Sequence, residues 1–256
     1  MSATLTYQGS AAILTLDRPA AMNALNTEMI RRIGELIDEV SASNANSLII
    51  VGAGNRAFCA GADVNGILGR TTEEQKAFAQ KGQSTFAKLD CLAIPSIAVI
   101  SGVAFGGGLE LAMACTFRVA MPAARLALPE IKLGLIPAYG GTQRLPRLIG
   151  QARAMDLIAT GRIVGADEAE RIGLVHRLVE EGDPVTSGLK FAGELGNPPP
   201  AALSQARKAV AEALDLVQSK GFAFEAELFA SATETVDATE GITAFLEKRR
   251  PDFRGQ

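Results

Sequence analysis

Ser101-Gly102-Val103-Ala104-Phe105-Gly106-Gly107-Gly108-Leu109-Glu110-Leu111-Ala112-Met113-Ala114 is the stretch on which the reading of this chain turns. It follows an apolar, β-branched run at 96–100 and passes through a glycine triplet into an apolar segment of helical character. A glycine-rich strand-to-helix turn offers backbone N–H groups and the positive end of a helix to an anion. It is not a dinucleotide fingerprint, because Gly102 is followed by three other residues before the triplet, and no GK[ST] follows it. Glu110 stands in the first turn of the helix among Leu109, Leu111, Ala112 and Met113. A first-turn glutamate suits the helix dipole, but here it is a carboxylate set in apolar company.

Two further segments share this character. In Arg56-Ala57-Phe58-Cys59-Ala60-Gly61-Ala62-Asp63-Val64, small residues follow a buried strand. They either form a tight turn or let a ligand approach the main chain closely enough to use its N–H donors. In Leu126-Ala127-Leu128-Pro129-Glu130-Ile131-Lys132-Leu133-Gly134-Leu135-Ile136-Pro137, Glu130 lies between apolar neighbours. It is either an exposed turn residue paired with Lys132 or a carboxyl group whose apolar surroundings raise its pKa and make it a proton donor near neutrality. Two such glutamates and two donor-rich turns suit proton transfer beside an anion developing on a carbonyl oxygen.

Around these segments, strands alternate with helices. Strand-type runs stand at 12–16, 47–51, 96–100, 117–121 and 125–128, and another is expected over 173–177 around His176. Asn26 is placed to cap a helix whose Met29, Ile30, Ile33, Leu36, Ile37 and Val40 recur at three- and four-residue spacing. Thr71 followed by Glu74 is a capping-box pattern, and the helix it opens carries Phe78 and Phe86 towards a core. This alternation implies crossover connections and a largely parallel sheet. Gly196-Asn197-Pro198-Pro199-Pro200 breaks the pattern, and the chain from 201 to 250 reads as almost wholly helical. An α/β core with the site at 1–196 and a helical region for packing and oligomerisation at 197–256 are therefore expected.

Composition removes several function classes. The chain has 256 residues, 48% of them hydrophobic, and a net charge of −3, so it lacks the basic field that holds nucleic acid non-specifically. Cys59, Cys91 and Cys115 show no CxxC spacing and build no disulfide framework. His176 is the single histidine, so a HExxH metalloprotease is excluded; its strand-like setting reads as a surface or structural histidine. Acid–base chemistry falls to carboxylates, Lys, Tyr or Cys. Cys59 has no basic neighbour beyond Arg56 to activate it. No signal peptide is read at 1–16, and the uncharged run at 91–109 is interrupted by Pro95 and four glycines, which argues against a membrane span. The expected location is cytoplasmic, with no membrane and no nucleic acid partner.

At these residues the sequence resembles the enoyl-CoA hydratase/isomerase, or crotonase, family. The likeness runs from Leu16-Asp17-Arg18-Pro19-Ala20-Ala21-Met22-Asn23-Ala24-Leu25 through Ala60-Gly61-Ala62-Asp63, the glycine triplet with Glu110, Pro129-Glu130-Ile131 and Gly140-Gly141-Thr142-Gln143-Arg144-Leu145 to Phe245-Leu246-Glu247-Lys248-Arg249. The resemblance implies an α/β crotonase-like spiral of ββα turns with a C-terminal helical region, assembled as a homotrimer or homohexamer. It implies an acyl-CoA substrate whose thioester oxygen sits between the backbone N–H groups of Ala62 and Gly107. The CoA adenine region would lie near Ala60 and Ala62, with Arg18 and the basic end Lys248, Arg249 and Arg250 as candidates for its phosphates. Asp63, Val64, Gly106 and Tyr139 are further candidate substrate-binding positions. Glu110 and Glu130 match both glutamates of members that hydrate a 2-enoyl-CoA, whereas members with other chemistry often keep one. The expectation is an enoyl-CoA hydratase in which Glu110 orients and deprotonates water and Glu130 delivers a proton to the α-carbon, the roles being exchangeable through a shared water. No metal or cofactor is expected, coenzyme A being part of the substrate. An enoyl-CoA isomerase and a non-catalytic acyl-CoA- or RNA-binding member are the alternatives. One departure from the family pattern is Ala138-Tyr139 after Ile136-Pro137, where many hydratases have a glycine; it bears on the width of the acyl pocket.

Overall fold

The computed structural model describes residues 2–196 and 198–255. Its strands form two sheets. The larger has the order β1 (Ala3–Gln8), β2 (Ala11–Leu16), β3 (Ser47–Gly52), β5 (Ser96–Ile100), β7 (Phe117–Ala120), β10 (Arg177–Leu178). The smaller runs β4 (Ala57–Cys59), β6 (Val103–Phe105), β8 (Arg125–Ala127), β9 (Val164–Gly165). Successive turns of chain thus lay one strand in each sheet: β3 then β4, β5 then β6, β7 then β8. The first two turns return through helices α2 (Thr72–Cys91) and α3 (Gly107–Ala114). Pairing is parallel wherever one turn meets the next, as with Ile49 opposite Ile97 and Ala104 opposite Leu126. This is the spiral of ββα turns that the resemblance implies. Its parallel strands are buried on both faces, so β3 and β5 read as unbroken apolar runs instead of alternating ones.

Local chemistry fixes the helices. Asn26 caps α1 (Thr27–Ser41), its side chain accepting the Met29 N–H at 2.8 Å. Met29, Ile30, Ile33, Leu36, Ile37 and Val40 are all buried, each worth roughly 1.5–3 kcal/mol of hydrophobic burial. The capping box at α2 forms: Glu74 N–H donates to Thr71 Oγ1, and Glu74 Oε2 accepts from the Thr71 N–H at 2.7 Å. Phe86 is buried at the far end of that helix, while Phe78 is half-buried.

The expected strand at 173–177 forms elsewhere. Gly173 takes a positive φ of 83° and closes α6 (Ala166–Arg171), and the N–H groups of Leu174 and Val175 bond back to Ala169 O. The strand therefore begins only at Arg177. The pattern did not give β1, β4, β6 or β9; β1 pairs antiparallel with β2 across a turn where Gly9 has φ 59°.

The residues fall into two compact units: the chain up to Cys91 with Pro95–Phe191, and Leu92–Ile94 with the chain from Ala192 onward. The second contains α8 (Pro200–Glu212), α9 (Gln218–Thr233) and α10 (Val236–Leu246), so the helical stretch expected over 201–250 is broken twice. Thr235 caps α10 by accepting the Ala238 N–H. Asn197, within the expected boundary, lies outside the described residues, as do Met1 and Gln256. Among the described residues no helix is long and apolar enough to cross a membrane; the 91–109 run is the end of α2, two strands and the start of α3.

Candidate active site

The site is built where three turns of the spiral meet. Arg18 and Asn23 brace the first. Asn23, fully buried in a left-handed conformation at φ 57°, accepts the Arg18 N–H and donates through Nδ2 to the carbonyls of Ala53 and Ala57 at 3.0 and 2.9 Å. Arg18 in turn donates to Ala24 O and pairs with Asp63 at 3.3 Å. Leu25 then bridges to Ala62: its N–H donates to Gly61 O at 2.7 Å and its carbonyl accepts from Asp63 N–H at 2.8 Å. The Ala60 N–H is taken by Met22 O. Between these engaged groups, the Ala62 N–H has no acceptor among the described residues.

The second turn supplies the glycine triplet. Gly106 sits at φ 48° and ψ −124°, a conformation only glycine adopts comfortably. A Cβ there would stand 2.8 Å from Glu130 Oε1, so the Glu130 carboxyl group lies directly against this turn. Gly107 begins α3, and its N–H, one of the unsatisfied donors of a helix start, also meets no acceptor among the described residues. It lies close to Gly61, whose Cβ position is 3.7 Å from Gly107 N. The two unpaired donors, Ala62 and Gly107, thus come from adjacent backbone segments, and the Glu130 carboxyl group lies beside them.

Glu110 is buried one helical turn on. Its Oε1 accepts the N–H groups of Tyr139 and Gly141, each at 2.7 Å. Gly141 is needed for that approach, since a Cβ on it would sit 3.0 Å from the same oxygen. Burial pushes the Glu110 carboxyl up to about 7; the neighbouring Glu130 adds to this, while the Gly141 and Tyr139 N–H groups and Arg144 oppose it. Burial likewise raises Glu130, whose Oε2 is buried without a hydrogen bond. No Glu130–Lys132 ion pair forms among the described residues, so Glu130 is not a solvated turn residue. The two carboxyl groups sense each other, and both are held towards the protonated form.

Tyr139 is an interior wall. Its side chain is 2% exposed, and its ring lies on Gly107 and on Gly82 of α2, where a Cβ would overlap it. Phe78 and Phe86 pack against the ring at centroid distances of 5.4 and 5.7 Å. Of the other candidate positions, Ala60 and Asp63 are half-buried and Val64 is exposed. At the chain's basic end Arg249 is held by Glu240 and Glu247. Burial pushes the Cys59 thiol up to about 12, which leaves it inert. His176 stacks edge-on to Phe117, accepts the Arg118 N–H through Nδ1 and is driven down to about 4 by burial and by Arg118, so it is a neutral packing residue. The sequence reading missed Asn23 and Arg144 as supports. Asn in a left-handed turn is a recognisable signal. The Arg144–Asp90 pair beside the site, with Nη1 to Oδ1 at 2.8 Å, spans 54 residues and has no local signature.

The chain belongs to the enoyl-CoA hydratase/isomerase family, whose model matches residues 6–256. It is 37% identical to the short-chain-enoyl-CoA hydratase of Clostridium acetobutylicum over 96% of this chain and 95% of that one, and 38% identical to the crotonyl-CoA hydratase of Syntrophomonas wolfei over 94% of each. A crystal structure of an enoyl-CoA hydratase from Bacillus anthracis superposes with a TM-score of 0.93 at 34% identity, covering all of both chains.

Proposed function

We propose that this enzyme hydrates the 2,3 double bond of a 2-enoyl-CoA to give a 3-hydroxyacyl-CoA. The observation that carries the reading is the convergence of Glu110 and Glu130, two carboxyl groups raised by burial, beside two unpaired N–H donors at Ala62 and Gly107. Water addition builds negative charge on the thioester oxygen. Fixed donors stabilise that enolate more than the neutral ground state, and one such donor is worth about 3–4 kcal/mol in the barrier. Glu110, oriented by the Tyr139 and Gly141 N–H groups, deprotonates the attacking water; Glu130 delivers the α-proton. A carboxyl group poised near 7 can both take and return a proton at neutral pH. In this reading the glutamates exchange roles in the reverse reaction.

The test is conversion of crotonyl-CoA to 3-hydroxybutyryl-CoA by the purified protein. Conversion of a 3-enoyl-CoA to the 2-enoyl isomer without hydroxyacyl product would instead favour the isomerase reading. We further propose self-association through the second unit, supported by the large apolar side chains it exposes, including Phe222, Phe229, Phe245 and Leu246. Light scattering of the full chain would report a trimer or hexamer; a monomer would refute it.

A further inference from the structure

Beside α2 lies a cavity of about 260 Å³ that the chemistry above does not use, lined by Thr27, Ile30, Arg70, Glu74, Phe78 and Lys81. Its lining is linked to the reaction site in two places. Thr27 follows two residues after Leu25, the residue that bridges to Ala62. Phe78 packs on the Tyr139 ring, which in turn covers Gly107. The Arg70 guanidinium lies over the other partner of that contact, with Cζ 4.1 Å from the Phe78 centroid.

One buried donor of a residue on the cavity wall has no acceptor: Arg70 Nη1. Leaving a charged donor unpaired costs stability, and buried polar groups are as a rule hydrogen-bonded. The one acidic side chain on the cavity, Glu74, is already committed to the Thr71 N–H and hydroxyl. The cavity therefore presents Arg70 and Lys81 against a single, already engaged carboxylate. An aliphatic acyl tail would leave Arg70 Nη1 unpaired. A carboxylate would satisfy it, since a guanidinium takes two carboxylate oxygens at once.

We propose that this cavity receives the distal end of the acyl group and selects one that ends in a carboxylate, held by Arg70. The inference rests on reading Ala62 and Gly107 as the thioester site. The substrate class is then a short 2-enoyl-CoA carrying a terminal carboxylate, such as glutaconyl-CoA.

The test compares acyl-CoAs of matched shape, one charged and one apolar at the tail. Binding of glutaryl-CoA and 5-methylhexanoyl-CoA is measured by calorimetry on the intact protein, for wild type, Arg70→Met and Arg70→Lys. Wild type binds glutaryl-CoA about tenfold or more tighter than its apolar match, the size expected of a charge-assisted pair. Arg70→Met abolishes the preference and Arg70→Lys keeps part of it. Equal affinities in wild type, or a preference that survives Arg70→Met, overturn the proposal. Turnover of glutaconyl-CoA and crotonyl-CoA is followed in parallel. A protein that keeps the Arg70-dependent binding preference but hydrates neither substrate would refute the hydratase reading while leaving the carboxylate pocket standing.

Discussion

Replacing Glu110 by glutamine removes the proposed proton-transfer group and, by the same physics, stabilises the fold at alkaline pH. The carboxyl group titrates near 4.5 when solvated and is pushed up to about 7 in the folded chain, chiefly by burial. Between those values the folded protein holds a proton that the unfolded chain has released. Stability therefore falls as pH rises through that window and levels off above about 7. At about 1.4 kcal/mol for each tenfold in proton affinity, the cost of the ionised group is on the order of 3 kcal/mol at pH 8. Glutamine carries no charge, yet its carbonyl oxygen can still accept the Tyr139 and Gly141 N–H groups. Glu110→Gln should thus match wild type near pH 5 and exceed it by up to about 3 kcal/mol at pH 8, while losing on the order of 10²–10⁴ in kcat. Urea unfolding followed by far-ultraviolet circular dichroism across pH 5–8 measures this; the chain has no tryptophan to report by fluorescence. Parallel pH profiles for variant and wild type would refute the claim that Glu110 is held protonated by its surroundings.

Four further outcomes follow from the geometry. Gly106→Ala forces a Cβ onto Glu130 Oε1 from a backbone at φ 48°, and should lower kcat at least about 10²-fold, measured as crotonyl-CoA hydration. Gly82→Ala drives a methyl into the Tyr139 ring and should cost about 1–3 kcal/mol in urea unfolding, an increment that should largely vanish when the same change is made in a Tyr139→Ala background. Asn23→Ala strands two buried carbonyls and the Arg18 N–H, for a loss of about 2 kcal/mol or more in the same assay. The acidic limb of kcat/KM, which reports the glutamate pair jointly, should lie well above 4.5, near the value of about 7 to which Glu110 is raised.

Much of this architecture could be read from the chain because its signals are local. The Asn26 cap, the Thr71–Glu74 box and the apolar runs at 47–51 and 96–100 each state their own structure within a few residues. The two glutamates of the candidate site also stand out, since a carboxylate among apolar residues is conspicuous whichever fold contains it. What the pattern could not give depends on distant partners. β1 is a strand because it pairs with β2, and Leu174 and Val175 fold back on Ala169 when the alternation alone suggested extension. The burial of Tyr139 needs Gly82, Phe78 and Phe86, more than fifty residues away, to make room for its ring. Arg70 is unremarkable in sequence and becomes informative only when Phe78 and the cavity are seen beside it.

The central claim is that Glu110 and Glu130 act as one acid–base unit over a thioester held by the Ala62 and Gly107 amides. The most direct measurement is crotonyl-CoA hydration by Glu110→Gln, Glu130→Gln and the double variant, because groups that act together are non-additive. The account predicts that each single change abolishes most of the rate and that the double variant is scarcely slower than either. Full activity in one single variant, or losses that simply multiply, would contradict it.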